Sequence, residues 1–424
     1  MDGIGVSAGG DGPGTRPGPE SGRRTVAAAP IALASGRLLA VRRAVAAVFA
    51  VHGAVTGSFA TRVPWVQEHV GASPGQLGLA LAFPAVGASL AMPLAGRISH
   101  RFGARRALGT LLAMWTLSLL LPVLAPNLPA LCCALFVFGA SAGMADVVMN
   151  ALGVDIEEGL NRPIMSGLHG MWSVGALSGS AGGTVAAHLD VDARAHLAAA
   201  AVFLTLLGLT ACRGVTDLRS ASVGDPPPRF ALPPKSALVI GAVGFCAVFA
   251  EGASLDWSAV YLRDVLGTSP GLAAASTTAF ACTMALARLI GDAVVSRFGA
   301  VRTVRLGGMS ATAGGALIVG AAHPAMAVVG FALIGLGIAV VVPLAFAAAG
   351  RSGPAPSQAI AGVATITYTS GLVAPSAMGT VAEATSLTGS FALVTVLALG
   401  LVVGAGVLRS AERPTGTAPL PDPA

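Results

Sequence analysis

Charged side chains are scarce in this chain: Asp, Glu, Lys and Arg make up 10% of its 424 residues, and Lys235 is the only lysine. A soluble globular protein carries about 25% charged residues, because water must wet its surface. Hydrophobic residues reach 54% here, and the mean hydropathy is +0.78. The composition therefore excludes an ordinary soluble protein and predicts that lipid covers most of the surface.

Motifs for ATP-driven or enzymatic chemistry are also missing. The chain has no G-x-x-x-x-G-K-[ST] phosphate loop, no nucleophile constellation and no soluble region of useful size. Its five cysteines lie in apolar segments without metal-ligand spacing, so we expect no disulfide, metal or cofactor. His188 and His196 flank an acidic loop, where solvation is favoured over weak metal binding. We therefore expect neither an enzyme nor an ATP-driven pump.

Apolar runs dominate what is present. Each is about 20 residues long, enough to cross about 30 Å of hydrocarbon, and Gly, Pro and charged residues separate one run from the next. They predict an all-α membrane protein with twelve transmembrane helices. The predicted spans are residues 43–63, 76–98, 107–124, 128–152, 163–189 and 195–212 in the first half, and 236–257, 270–294, 304–322, 325–349, 357–382 and 388–408 in the second.

A proline-rich segment divides the chain into two halves. Residues 213–235 predict a semi-rigid linker between a first six-helix bundle, residues 37–212, and a second, residues 236–408. Residues 1–36 are rich in Gly, Pro, Ser and Ala and predict a disordered tail, and residues 409–424 form a second tail. The expected architecture is two bundles flanked by two cytoplasmic tails.

The basic residues predict the sidedness of the membrane protein. If both termini are cytoplasmic, the outer loops hold Arg62, Arg194 and Arg263, and all other Lys and Arg residues lie on the cytoplasmic side. The positive-inside rule demands this asymmetry. We therefore expect a multi-pass protein of the bacterial inner membrane. Because the net charge of +6 is spread over helix ends, no nucleic-acid partner is expected.

An internal repeat relates the two halves at an offset of 196 residues. The residues SPG at 73–75 recur at 269–271, and RFGA at 101–104 recurs at 297–300. Trp65 and Tyr261 match at the same offset and are predicted to anchor at lipid headgroups. Because each half holds an even number of helices, the copies are parallel, which is one of the arrangements that transporters use around a central site.

The loop GRISHRFGARR at residues 96–106 resembles the signature between the second and third helices of the major facilitator superfamily. That resemblance implies two pseudo-symmetric six-helix bundles and a cytoplasmic gate, to which we assign Arg97, Arg101 and Arg105. His100 stands where the family has an acid, which departs from the usual gate.

The second copy of this loop departs further, because Ser296 takes the acid's place. Arg288 and Asp292 are one helical turn apart and are predicted to form a substitute pair in the gate.

A finer resemblance covers residues 146–175 and 251–264, which are similar to a bacterial branch near the fucose:proton symporters. It extends over about residues 43–408. Those symporters have an acid in helix 4 with an asparagine four residues later, and Asp146 and Asn150 match that arrangement. They also carry an acid in helix 1, which residues 44–63 lack, so fucose specificity does not follow.

Asp146 and Glu251 are the acids placed deepest in the predicted spans. An ionised carboxylate at mid-bilayer costs at least about 2.5 kcal/mol, so it must face a cavity, be paired or be protonated. Contact with water from alternate sides would change its affinity for a proton. We predict that both acids couple transport to protons, and the alternative is a hydrogen-bonded strut between helices. Asp256 is interpreted as the solvated end of the seventh span.

Several other polar side chains interrupt the apolar spans. His169 shares a helix face with Trp172 and Ser173, and we assign the histidine to proton coupling, although a hydrogen-bonded core histidine is an equal alternative. The predicted solute-binding residues come from the first, fourth, fifth and eleventh spans, with ordinary helix packing as the alternative for each. They are His52, Asn150, Trp172, Thr365 and Tyr368.

The leading hypothesis is a monomeric secondary transporter that takes up a small polar solute, sugar-like or another metabolite, together with protons by alternating access. The second hypothesis is proton-coupled efflux of a drug or metabolite, because the glycines of the fifth span resemble the antiporter motif of drug exporters. Those residues are Gly175, Gly179, Gly182 and Gly183. The expected partners are the solute, protons and the lipid bilayer.

Overall fold

The computed structural model describes residues 28–160, 164–215, 235–351 and 356–411. Most of the predicted linker and of both tails therefore lies outside the described residues. Helices account for nearly all of the described chain, and no strand occurs in these ranges.

Fifteen α-helices and a closing 3₁₀ helix build two halves. The first half contains α1 Ala28–Ala60, α2 Val63–Val70, α3 Pro74–Phe102, α4 Ala104–Ser118, α5 Leu121–Leu124, α6 Leu128–Leu160, α7 Met165–His188 and α8 Ala193–Arg213. The second contains α9 Lys235–Asp264, α10 Pro270–Phe298, α11 Ala300–Val319, α12 Pro324–Ile338, α13 Val341–Gly350, α14 Pro356–Ala384, α15 Leu387–Gly404 and the 3₁₀ helix Ala405–Ala411.

The helices confirm the predicted membrane architecture. Among the described residues, nine helical segments are long and apolar enough to cross a membrane, with α4 and α5 forming one segment and α12 and α13 another. The other three predicted spans are α7, α11 and α14, which are 24, 20 and 29 residues long and contain many Gly, Ser and Thr residues. Together they make the twelve helices of two six-helix bundles.

The repeat is visible in the geometry of α3 and α10. Both helices have 29 residues, begin at a proline that follows a serine, and end at a glycine with left-handed φ, 82° at Gly103 and 80° at Gly299. A side chain would strain the backbone at that φ, so the glycine permits the sharp turn into the next helix. Equal lengths and equal turns confirm that the halves are parallel copies.

In the first half, α1 and α7 pack with their backbones in contact. A Cβ atom at Gly53 would lie 2.0 Å from the carbonyl oxygen of Trp172, and one at Gly175 would lie 1.9 Å from that of Ala50. Small residues let membrane helices approach this closely. Three glycines of the fifth span, Gly175, Gly179 and Gly183, therefore pack against α1 or the residue directly after it, whereas nothing lies within 4 Å of a Cβ atom at Gly182.

The bundle has two chemically different ends. We call one the arginine-rich end, where Arg97, Arg101, Arg105, Arg297 and Arg302 are all exposed. The opposite end holds the first turns of α3 and α10 and the last turns of α7 and α14. The halves face each other along a seam where α3 packs on α14 and α7 packs on α10.

Three expectations need correction. Helix α1 begins at Ala28, so residues 28–36, expected to be disordered, are helical; their four alanines and Leu33 favour helix. Helix α9 continues to Asp264, two turns beyond Asp256, so this acid is not a helix end. Tyr261 is no headgroup anchor either, because it is 1% exposed and its hydroxyl donates to the carbonyl oxygen of Ile318.

Candidate functional site

An ion pair lies near the middle of the second half. Glu251 is halfway along α9, and Arg288 reaches it from α10, with Nη2 donating to Oε1 at 3.0 Å and to Oε2 at 3.2 Å. Each side chain is 19% exposed. The charges therefore compensate each other in a partly dehydrated place, where a lone charge would be costly.

The same guanidinium joins the two halves. Nη1 of Arg288 donates to Oγ of Ser173 on α7 at 3.0 Å, and Nε donates to the carbonyl oxygen of Ala339 at 3.4 Å. The described donors of Arg288 reach Glu251, Ser173 and Ala339. The predicted pair of Arg288 with Asp292 in the gate stays a prediction. The Asp292 side chain lies outside the described part of the chain. Spacing on one helix could not reveal a carboxylate on the neighbouring helix.

Asp146 occupies the middle of α6 without a comparable cation. Its Oδ1 accepts a hydrogen bond from Nδ2 of Asn150 at 3.0 Å, and the same amide donates to the Asp146 carbonyl oxygen at 2.9 Å. Among the described residues, no ion pair involves Asp146. Its half-buried carboxylate therefore has a neutral partner, and Asn150 positions that carboxylate.

His52 of α1 lies behind Trp172 and is only 7% exposed. The indole Nε1 of Trp172 donates to Nδ1 of His52 at 3.0 Å, and Nε2 lies 3.3 Å from the carbonyl oxygen of Ala142. Because Nδ1 accepts, Nε2 must carry the proton, and the imidazole is neutral. The ring also stacks on Trp115 with centroids 5.1 Å apart. His52 thus holds Trp172, and the predicted direct contact with solute does not fit its burial.

His169 connects these two groups. Its exposed ring stands edge-on to Phe49 at 5.4 Å and lies within electrostatic range of both Asp146 and Arg288. Trp172 and Ser173 follow one turn later on α7, the shared face that the sequence predicted. Helix α7 therefore links the Asp146 side of the site to the Arg288 side.

Comparisons with known proteins decide the family. The model of the Major Facilitator Superfamily matches residues 45–250. An uncharacterized MFS-type transporter of Yersinia pestis is 36% identical over 361 residues, covering 84% of this chain and 93% of the relative. The chain belongs to the major facilitator superfamily. It is a multi-pass membrane transporter and not an enzyme.

Two further relatives of this transporter have similar length. An uncharacterized transporter of Sinorhizobium fredii is 36% identical over 379 residues, covering 88% of the chain and 99% of the relative. The membrane protein MosC of Rhizobium meliloti is 31% identical over 370 residues, covering 85% and 88% respectively. The finer resemblance to fucose:proton symporters stays a prediction.

Solved structures agree on the fold of the transporter. A nucleoside transporter, NupG, superposes with a TM-score of 0.71 at 12% identity, covering 87% of this chain and 99% of that one. A D-xylose–proton symporter superposes with a TM-score of 0.67 at 14% identity, covering 87% and 97%.

The remaining predicted site residues of the transporter lie on α14 and at the arginine-rich end. Thr365 is exposed on α14, and its carbonyl oxygen accepts a hydrogen bond from the Thr369 hydroxyl at 2.7 Å. The Tyr368 side chain lies outside the described residues. The predicted gate residues, Arg97, Arg101 and Arg105, are exposed at the arginine-rich end.

Sequence reasoning missed two features of the transporter's centre. One is the bridge from Arg288 to Ser173 and Glu251, which no spacing on a single helix signals. The other is Asp256, which is half-buried on α9 and has no hydrogen-bond partner among the described residues. The signal for Asp256 was available, since the apolar pattern of this span continues to Leu262.

Two depressions lie away from this central group. Their volumes are about 350 and 310 Å³, and both are lined by residues of the opposite end, including Glu68 and Arg263. We place the chemistry at the centre instead, because the central side chains combine partial burial with specific polar partners.

Proposed function

We propose that this transporter takes up a small polar solute, sugar-like or another metabolite, together with protons by alternating access across the bacterial inner membrane. One observation supports the proposal: Asp146, an acid with no ion pair in the described part of the chain, lies at mid-depth beside a polar cluster that spans the seam between the halves. An intramembrane carboxylate of this kind is costly unless it serves proton or solute binding.

The two ends support a particular orientation and state. The positive-inside rule assigns the arginine-rich end and both termini to the cytoplasm. Hydrogen bonds that join the halves lie at mid-depth, as at Ser173, and towards the opposite end, as at Thr184 and Thr278, whose hydroxyls are 2.8 Å apart. These contacts support a state in which the opposite end is closed, and the proposal is that such a state opens towards the cytoplasm.

The central residues divide the work of transport. Asp146 exchanges a proton with the cavity, and Asn150 holds its carboxylate in place. Trp172, whose N–H is already bonded to His52, offers its ring face to a solute, which suits a sugar ring or a base. Two solved transporters with a similar fold, a nucleoside transporter and a D-xylose–proton symporter, support this solute class.

The test measures solute movement in right-side-out and inverted vesicles under an imposed pH gradient, with labelled D-xylose and a labelled nucleoside as the first probes. We expect accumulation in right-side-out vesicles when the outside is acidic. Asp146→Asn should abolish accumulation driven by the gradient and retain solute exchange at equal pH, because the amide cannot carry a proton.

The matched control is Asp192→Asn, which removes an acid that caps α8 at the opposite end. This variant should accumulate solute like the parent. Full pH-driven uptake in Asp146→Asn would overturn the proton role, and accumulation only in inverted vesicles would favour the efflux alternative.

A further inference from the structure

Two junctions close the opposite end, and the repeat makes them comparable. At one junction the first turn of α3 meets the last turn of α14, and at the other the first turn of α10 meets the last turn of α7. At the second junction, a Cβ on Gly271 would lie 2.8 Å from the Cα atom of His188, and Ser269 makes no side-chain cap. That junction is a contact of backbones.

The first junction carries a carboxylate instead. Oε2 of Glu383, in the second half, accepts hydrogen bonds from Oγ of Ser73 at 2.8 Å and from the backbone N of Gly75 at 2.7 Å, both in the first half. A carboxylate at a helix N-terminus also meets the positive end of the helix dipole. Hydrogen bonds to an ionised acceptor are about twice as strong as neutral ones.

The surrounding surface fits this carboxylate closely. A Cβ atom at Gly75 would lie 2.0 Å from Oε2 of Glu383, so only glycine leaves room for the contact. One turn deeper, a Cβ at Gly78 would lie 2.5 Å from the carbonyl oxygen of Pro375. The backbones of α3 and α14 therefore touch up to the point where Glu383 binds.

A further contact between the halves, separate from the two junctions, joins α9 to α2 at the same end. Arg263, in the last turn of α9, donates to Oε1 of Gln67 at 2.6 Å and to the carbonyl oxygen of Pro64. Arg263 also pairs with Asp264 of its own helix, so its charge is shared. Glu383 differs, because its only hydrogen bonds among the described residues go to the other half.

We propose that Glu383 is a gate residue that holds the opposite end closed by binding the N-terminus of α3. An alternating-access transporter must open this end in another state, and both hydrogen bonds of Glu383 must then break. Loss of two charge-assisted bonds shifts such an equilibrium by about tenfold or more. The proposal needs the transporter family alone, and neither the solute nor the coupling ion.

The test measures the distance between the halves at the opposite end of the full-length protein. Two spin labels are placed at Pro126→Cys and Ala322→Cys, which are exposed in the loops of different halves, after the five native cysteines are replaced by serine. Glu383→Ala should raise the population of the longer distance about tenfold. Gly75→Ala should do the same, because its methyl group occupies the place of Oε2.

Two matched controls distinguish gating from unfolding. Asp192→Asn removes a carboxylate that caps α8 within one half, and Gly371→Ala adds a methyl group to α14 where nothing lies within 4 Å. Both should keep the parent distance distribution, and thermal melting should show that all variants fold.

Folded Glu383→Ala and Gly75→Ala variants with the parent distribution would overturn the proposal. Opening in Glu383→Ala without opening in Gly75→Ala would overturn it as well, because the carboxylate would then act elsewhere. Failure of proton-driven uptake in vesicles has no bearing on these distances, so the two proposals fail separately.

Discussion

The two halves of the transporter treat their central acids differently. Asp146 in the first half has an amide partner, whereas Glu251 in the second half is bonded to Arg288. An amide adapts to either protonation state of a carboxylate, but a guanidinium requires the ionised form to balance its charge. Sequence reasoning assigns both acids to proton coupling, and this difference leads us to expect that Asp146 binds the proton while the pair of Glu251 and Arg288 maintains structure.

The location of each acid supports this division. Arg288 ties Glu251 to Ser173 across the seam, so a change at Glu251 is transmitted to the contact between the halves. Among the described residues, the hydrogen bond of the Asp146 carboxylate goes to Asn150 of its own helix. We therefore expect Asp146 to change its protonation without disturbing the seam, so that proton binding and the joining of the halves are carried by separate groups.

The largest expected effect comes from removing the cation. Arg288→Gln leaves Glu251 uncompensated and removes the bond to Ser173, which makes the second half resemble the first. We expect the free energy of unfolding to fall by about 2 kcal/mol, less than for a fully buried pair because both side chains are partly exposed. Transport should be lost, as measured by uptake in proteoliposomes alongside thermal melting.

The double variant Glu251→Gln, Arg288→Gln is the control for this result. Removing both charges removes the uncompensated carboxylate, so stability should return to within about 1 kcal/mol of the parent. Equal instability of the single and double variants would show that the pair is not the source of the loss.

A second experiment gives Asp146 the kind of partner that Glu251 has. His169→Lys places a permanent cation within electrostatic range of Asp146, which makes the first half resemble the second. Proton-driven uptake should fall about tenfold and lose its dependence on external pH, since the cation favours the ionised acid. His169→Gln adds no charge, and a pH dependence kept in this variant would assign the proton to Asp146 and not to His169. The same pH profile in both variants would contradict the proton role of Asp146.

The smallest expected effect concerns the hydrogen bond between Trp172 and His52. His52→Leu removes the acceptor of the Trp172 N–H, a loss of about 1 kcal/mol. The KM for solute should rise about fivefold with little change in the maximal rate. His52→Gln should restore much of the affinity, because its amide oxygen can accept the bond. Equal KM values for His52→Leu and the parent would contradict the role of His52 in positioning Trp172.

Sequence reasoning succeeded where one helix determines the geometry. The spacing of Asp146 and Asn150 placed them one turn apart, and His169, Trp172 and Ser173 fell on one face as the helical period requires. The twelve spans and their repeat followed from apolar runs and from residues that recur at a fixed offset.

It failed where contacts depend on how helices rotate and pack. Arg288 meets Glu251 across two helices, and His52 meets Trp172 across a glycine-lined contact, so neither pair has a signal in spacing. The predicted seventh span ends at Trp257, next to the acid Asp256, whereas α9 continues to Asp264. The prediction therefore places Asp256 at a helix end, although it lies inside the helix.

The backbone contact between α1 and α7 has a consequence for selectivity. With Gly53 and Gly175 leaving no side chain between these helices, neither can rotate or tilt without collision, so His52 and Trp172 travel together whichever way the protein opens. The solute then meets a wall of constant shape on this side. The transporter would then select among ring-shaped solutes by how well each fits this fixed surface. Any adjustment to a solute of different shape would have to come from the second half.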